Sequence, residues 1–122
     1  MPLTNRTTSG RDVSVAIVED DPRTRRRFEH ALARADRLWL AYSAGTVGEM
    51  VAWLRDHRVD VLLVDLGLPD GSGLQVISHC RKLSPGTEIM VISMFGDEAN
   101  MMGAFEAGAR GYLLKDGTED DL

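Results

Sequence analysis

Val59–Gly73 reads VDVLLVDLGLPDGSG. It opens in an unbroken apolar run, Val61-Leu62-Leu63-Val64, and closes in a turn built on Pro69 and Gly71, with Asp65 between the two. A continuous Val/Leu run bounded by turn residues is the pattern of a strand buried on both faces, as in a parallel sheet. A carboxylate at the end of such a strand lies at the mouth of the sheet, where open α/β folds bind their ligands.

The same pattern recurs on either side. Val13–Val18 (VSVAIV) is a first strand running into Glu19-Asp20-Asp21. Asp21 before Pro22 is a helix start, an acid N-cap followed by proline at the first helical position. That helix runs to about Ala35, with Phe28, Ala31, Leu32 and Ala35 at helical spacing. Leu38–Ala44 is a second strand, and Thr46-Val47-Gly48-Glu49 matches a capping box. The helix it opens carries Val47, Met50, Val51 and Leu54 on one face. Val59–Val64 is the third strand. A third helix starts at Gly71 or Ser72 and turns Val76, Ile77, Cys80 and Leu83 inward, until Ser84-Pro85-Gly86 stops it. Glu88–Met94 is the fourth strand.

Asp97 caps a fourth helix, with Met101, Met102 and Phe105 expected on its buried face. Gly103 weakens it by about 1 kcal/mol relative to Ala, and Gly108 ends it. Gly111–Leu114 is a fifth strand running into Lys115, and Thr118 caps a fifth helix cut short at Leu122. Alternating strands and helices imply a parallel sheet with right-handed crossovers and helices on both faces. The first and fifth helices share one face and the second to fourth the other. Residues 1–11 are a polar tail with no apolar core of a signal peptide, which leaves 12–122 as one domain.

Composition narrows the function. A chain of 122 residues holds one domain with a real core. A net charge of −5 argues against this segment gripping nucleic acid itself. Cys80 is the only cysteine, which excludes an intramolecular disulfide and a cysteine zinc site. No run is long enough to span a membrane, and the expected location is the cytoplasm.

In a parallel sheet every strand C-terminus lies along one edge. The residues there are Glu19 and Asp20 after the first strand, Asp65 after the third, Ser93 at the end of the fourth and Lys115 after the fifth. Three carboxylates at close range resist simultaneous ionisation. Mg²⁺ relieves this, since it takes oxygen ligands and keeps room for phosphate oxygens. A carboxylate left partly free is a nucleophile that forms acyl-phosphates. A metal, a lysine and a hydroxyl stabilise charge on a transferred phosphoryl group.

These segments, VAIVEDDP, VDVLLVDLGLPDGSG, IMVISMF and GYLLKDGTEDDL, resemble those of a bacterial response regulator receiver domain. The resemblance covers Val13 to about Leu122. It implies a flavodoxin-like (βα)5 fold with strand order 2-1-3-4-5, the fifth helix truncated. It also implies transfer of a phosphoryl group from a sensor histidine kinase to Asp65. On the family's pattern Asp20 is the main Mg²⁺ ligand and Glu19 its companion, with Asp65 and the Gly67 carbonyl completing the metal set. Ser93 is the switch hydroxyl, Lys115 the phosphate-binding lysine and Tyr112 the switch aromatic. The ending LLKDGT is similar to the LuxR/NarL-type subgroup. That similarity implies a helix-turn-helix DNA-binding domain beyond residue 122, control of transcription, and homodimer formation on phosphorylation. The role is then that of a signalling phosphoacceptor rather than an enzyme, with self-phosphorylation and self-dephosphorylation dependent on Mg²⁺.

Two departures from the family pattern matter. Asp116, not proline, follows Lys115, so no cis peptide is expected there. Met94 and Phe95 follow Ser93 where a small residue is usual. They are expected to narrow access to the acyl-phosphate, so the phosphoryl group should be lost faster from Met94→Ala than from the parent; equal half-lives would count against this.

Each residue also has an ordinary reading. Glu19 and Asp20 fit a helix-cap cluster, Asp65 a turn, Lys115 a solvated lysine and Ser93 a strand-end hydroxyl. Tyr112 fits a half-buried aromatic, Gly67 a loop glycine and Cys80 a core residue. Arg23, Arg25, Arg26 and Arg27 read as a solvated helix face, with kinase docking as the other option. Three rival functions remain at this point. A stand-alone phosphorelay receiver would lack a DNA-binding output. A haloacid-dehalogenase-type phosphatase wants a second Asp where Gly67 stands. A nucleotide or flavin module wants a glycine-rich loop after Val18, where acids stand instead.

Overall fold

The computed structural model describes residues 12–93 and 98–114, with the backbone alone at Ser93, Glu98 and Leu114. Five strands, β1 (Val13–Val18), β2 (Leu38–Ala44), β3 (Val61–Asp65), β4 (Glu88–Ser93) and β5 (Gly111–Leu114), form one sheet in the order β2-β1-β3-β4-β5. Every pairing in it is parallel. Four helices alternate with them: α1 (Pro22–Arg34), α2 (Val47–Asp56), α3 (Gly73–Leu83) and α4 (Glu98–Ala107). Between β3 and α3, Gly67–Leu68 and Gly71–Ser72 pair antiparallel as a small separate hairpin. The expected 2-1-3-4-5 order is met. The fifth helix expected from Thr118 lies outside the described residues, as do Asp97, Met94 and Phe95.

The apolar runs are continuous because both sheet faces are covered. Val15, Ile17, Leu63 and Ile92 meet Phe28 and Leu32 of α1 on one face. Ala16, Val18, Leu62, Val64, Ile89 and Val91 meet α2, α3 and α4 on the other, through Met50, Leu54, Val76, Ile77, Cys80 and Ala104. Period-two alternation within each strand sorts its side chains between these two cores. Cys80 is a buried free thiol, and burial pushes its pKa up.

Helix starts follow local chemistry with two refinements. Asp21 caps α1, accepting from Arg23 N at 3.0 Å. At α2, Thr46 Oγ1 accepts from Glu49 N at 3.1 Å, but Glu49 Oε1 reaches back to Gly45 N at 3.0 Å rather than to Thr46. The capping box is therefore displaced by one residue. Ser72 rather than Gly71 caps α3, accepting from Leu74 N at 3.0 Å while Gln75 Oε1 accepts from Ser72 N at 3.1 Å.

β3 runs two residues later than expected at its start and includes Asp65, whose backbone pairs with Ile92. Asp60 explains the late start: its Oδ2 accepts from Ser14 N and Ser14 Oγ, and its own N–H bonds Ser14 Oγ, so it ties the loop to β1 before the ladder begins.

The buried face of α4 differs from expectation. Met102 is 62% exposed and Phe105 39%, Met101 is half-buried, and Ala104 is the fully buried residue. Apolar residues surround this helix on all sides, so periodicity does not choose a face. The small residues decide it, because they let α4 approach α3 closely; a Cβ on Gly103 would stand 3.8 Å from Leu74 Cδ1. Among the described residues no helix is long and apolar enough to cross a membrane.

Candidate functional site

The parallel sheet brings Glu19, Asp20 and Asp65 together. One carboxylate oxygen from each lies within 4.8 Å of the others. Glu19 and Asp65 are buried and Asp20 is exposed. The pairing of Val18 with Val64 aligns the ends of β1 and β3, so the acids that follow or end those strands share one crevice. At that range two ionised carboxylates repel each other by about 3–4 kcal/mol for an effective dielectric of about 20. A cluster of this kind fits a divalent cation with oxygen ligands.

The local bonds orient the acids. Glu19 Oε2 accepts from Asp21 N at 3.0 Å, and Glu19 N donates to Ala44 O at 2.9 Å. Asp65 Oδ1 accepts from Gly67 N at 3.2 Å. Gly67 itself is exposed, and a Cβ there would meet nothing within 4 Å, so its glycine is not forced by crowding.

Ser93 ends β4 one residue beyond Ile92, the partner of Asp65, and its backbone pairs with Leu114. Its backbone thus stands at the same sheet edge. Lys115 lies outside the described residues. Tyr112 is 46% exposed, and its ring meets Phe105 edge-on with centroids 6.5 Å apart.

Three residues matter here that sequence reading did not single out. Arg25 is half-buried rather than part of a wholly solvated face, and its Nη1 donates to Glu19 O at 2.6 Å. Gly73 N donates to Leu66 O at 2.9 Å, and any Cβ on this first residue of α3 would run into the Asp65 carbonyl oxygen. Asp70, at the hairpin turn, accepts from Val47 N at 2.8 Å and Gly48 N at 3.0 Å. Those two amides hold its carboxyl below the usual range. The proline–acid–glycine turn marks the loop in sequence, but nothing in it points to α2.

The family pattern of the response regulator receiver domain matches residues 15–122. The chain belongs to this family.

The receiver is 32% identical over 108 residues to the transcriptional regulatory protein CitT of Bacillus subtilis, covering 88% of this chain and 48% of CitT. It is 31% identical over 111 residues to the oxygen regulatory protein NreC of Staphylococcus epidermidis, covering 90% of this chain and 51% of NreC. The chain thus spans about half the length of the curated relatives it matches. Among solved structures, a LuxR family two-component response regulator from Aurantimonas sp. superposes with a TM-score of 0.80 at 27% identity, covering 89% of this receiver and 78% of that chain. The signal receiver domain of a NarL response regulator from Mycobacterium tuberculosis gives 0.80 at 28%, covering 90% and 89%. The resemblance to LuxR/NarL-type regulators read from LLKDGT is met in these neighbours.

Proposed function

We propose that this receiver is a phosphorylation-controlled switch in which Asp65 accepts a phosphoryl group from a phosphohistidine of a sensor kinase. The observation that carries the reading is the meeting of Glu19, Asp20 and Asp65 within 4.8 Å at the sheet edge. An oxygen of Asp65 attacks phosphorus, the bond from phosphorus to the imidazole nitrogen breaks, and that nitrogen takes a proton from solvent. Glu19, Asp20, Asp65 and the carbonyl of Gly67 would hold Mg²⁺. When bound, the ion supplies positive charge against the crowded carboxylates and the phosphoryl oxygens. Burial of Glu19 and Asp65 keeps the reacting carboxylate in a medium where these charges act strongly.

In this reading Ser93 and Lys115 bond the phosphoryl oxygens, and Tyr112 repacks. Phosphate biases two arrangements of α4 and β5 through its different contacts in each. Residues 12–122 are the receiver and 1–11 a tail. The names of relatives such as CitT support an output in transcription; the LuxR/NarL-type resemblance adds a helix-turn-helix DNA-binding domain beyond residue 122 and a homodimer formed on phosphorylation. The setting is the cytoplasm. Sequence beyond residue 122 separates this from a stand-alone relay.

Incubation with Mg²⁺ and a small acyl phosphate, followed by intact mass, tests the reading. One phosphoryl group per chain is expected with Mg²⁺ and none after chelation. Without a phosphodonor, Mg²⁺ at ten times its Kd should stabilise the fold by about 1.4 kcal/mol, a rise of about 5 °C in Tm. No adduct from any donor or kinase, together with an unmoved Tm, would overturn it.

A further inference from the structure

Asp70 makes bonds that its place in the chain does not require. It stands in the exposed turn of the Gly67–Ser72 hairpin, yet its two carboxylate oxygens take the amides of Val47 and Gly48, which are 23 and 22 residues away in sequence. A residue that caps a helix ordinarily precedes it directly. α2 already has such a cap in Thr46, and Glu49 covers Gly45 N. The first two amides of α2 are left to Asp70. An anion at a helix N-terminus also gains from the helix dipole.

The consequence lies at the other end of the hairpin. The hairpin starts at Gly67, whose N–H bonds Asp65 Oδ1. Leu68 is buried in the core and Gly73 N holds Leu66 O, so the base of the hairpin is anchored. The turn Pro69-Asp70-Gly71 is exposed. Among the described residues, it is the Asp70 carboxylate that bonds this turn to a neighbouring helix.

We propose that Asp70 is a positioning residue of the acidic pocket: by pinning the hairpin tip to the N-terminus of α2, it holds Gly67 N–H on the Asp65 carboxylate. The pocket is thereby tied to α2 as well as to the sheet. The effect on metal binding rests on the phosphoacceptor reading above; the effect on Gly67 does not.

Three variants of the whole chain separate positioning from simple helix capping. Thr46→Ala removes a cap from the same helix end and leaves the hairpin bonds alone. Asp70→Ala removes the tie, and Asp70→Asn keeps one acceptor oxygen. Thr46→Ala and Asp70→Ala should lower Tm by similar amounts. Amide exchange at Gly67, followed by NMR, should quicken about tenfold in Asp70→Ala and stay at the parent rate in Thr46→Ala. Mg²⁺ affinity by calorimetry should fall about threefold to tenfold in Asp70→Ala, at or below the low end of the loss seen for a direct outer-shell partner. Asp70→Asn should recover part of both. If Asp70→Ala matches Thr46→Ala in both readouts, Asp70 is a helix cap only and the proposal fails. If the parent binds no Mg²⁺ and takes no phosphoryl group, the phosphoacceptor reading fails instead, and the Gly67 exchange ratio still decides for or against positioning.

Discussion

Asp65→Asn is expected to abolish the phosphoryl adduct while leaving the chain folded. The amide has the shape of the carboxylate and keeps an oxygen to accept from Gly67 N, so the bond at 3.2 Å can survive. It lacks the anionic oxygen that attacks phosphorus. The same change removes one of three charges whose oxygens lie within 4.8 Å of one another. Asp65 is 4% exposed, so little water screens that repulsion. Loss of one charge should therefore raise metal-free stability by about 1 kcal/mol, well below the Coulomb figure because the native pocket already relaxes around it. Stabilisation by Mg²⁺ should fall at least about tenfold in apparent affinity, as expected when a direct ligand is lost. Intact mass, and thermal melts with and without Mg²⁺, read all three effects. An adduct of equal yield on Asp65→Asn would place the acceptor elsewhere.

Gly73→Ala should be the most damaging small substitution. A Cβ there would stand 2.3 Å from Asp65 O, 2.8 Å from Val64 Cγ1 and 2.9 Å from Leu66 Cα. Two of the three obstacles are backbone, so no rotamer change relieves the clash. Either α3 backs away from the sheet or the end of β3 moves and takes Asp65 with it. Overpacking of this kind costs about 3 kcal/mol, and urea unfolding measures it. Gly86→Ala is the control, since a Cβ there meets nothing within 4 Å; its effect should stay within about 0.5 kcal/mol. A Gly73→Ala chain as stable as the control would show that α3 retreats freely, and the rigid seating of Asp65 would have to be given up.

The two substitutions sit eight residues apart, yet only one could be foreseen from the chain. Asp65 ends an apolar run, and any buried parallel strand delivers its last residue to the sheet edge. Gly73 reads as an ordinary turn glycine where the third helix starts. Its importance comes from the approach of α3 to the β3 backbone, a distance between elements that no local pattern encodes. Arg25 is similar. Four arginines crowd the first turns of α1, and spacing alone does not say which of them turns back to Glu19 O.

α4 shows the limit of periodicity from the other side. Residues 98–107 offer apolar side chains at Ala99, Met101, Met102, Ala104, Phe105 and Ala107. With hydrophobicity on every side, the large residues look like the buried ones. Packing against α3 instead selects the narrow side, where Ala104 is buried and Met102 and Phe105 are left outside.

By itself, then, the amino-acid order determined the alternation of strands and helices, the parallel sheet and the row of polar residues at strand ends. Those follow from period-two and helical patterning and from caps, all of which act within a few residues. The tertiary structure decided which face α4 buries, how closely α3 seats on β3, and that Asp70 caps a helix 22 residues upstream. These depend on distances between elements, set when two cores pack at once against one sheet. Val59–Gly73 contains both kinds of information: the strand and its acid are written in the run itself, while the work of Asp70 and Gly73 exists only once α2 and α3 are in place.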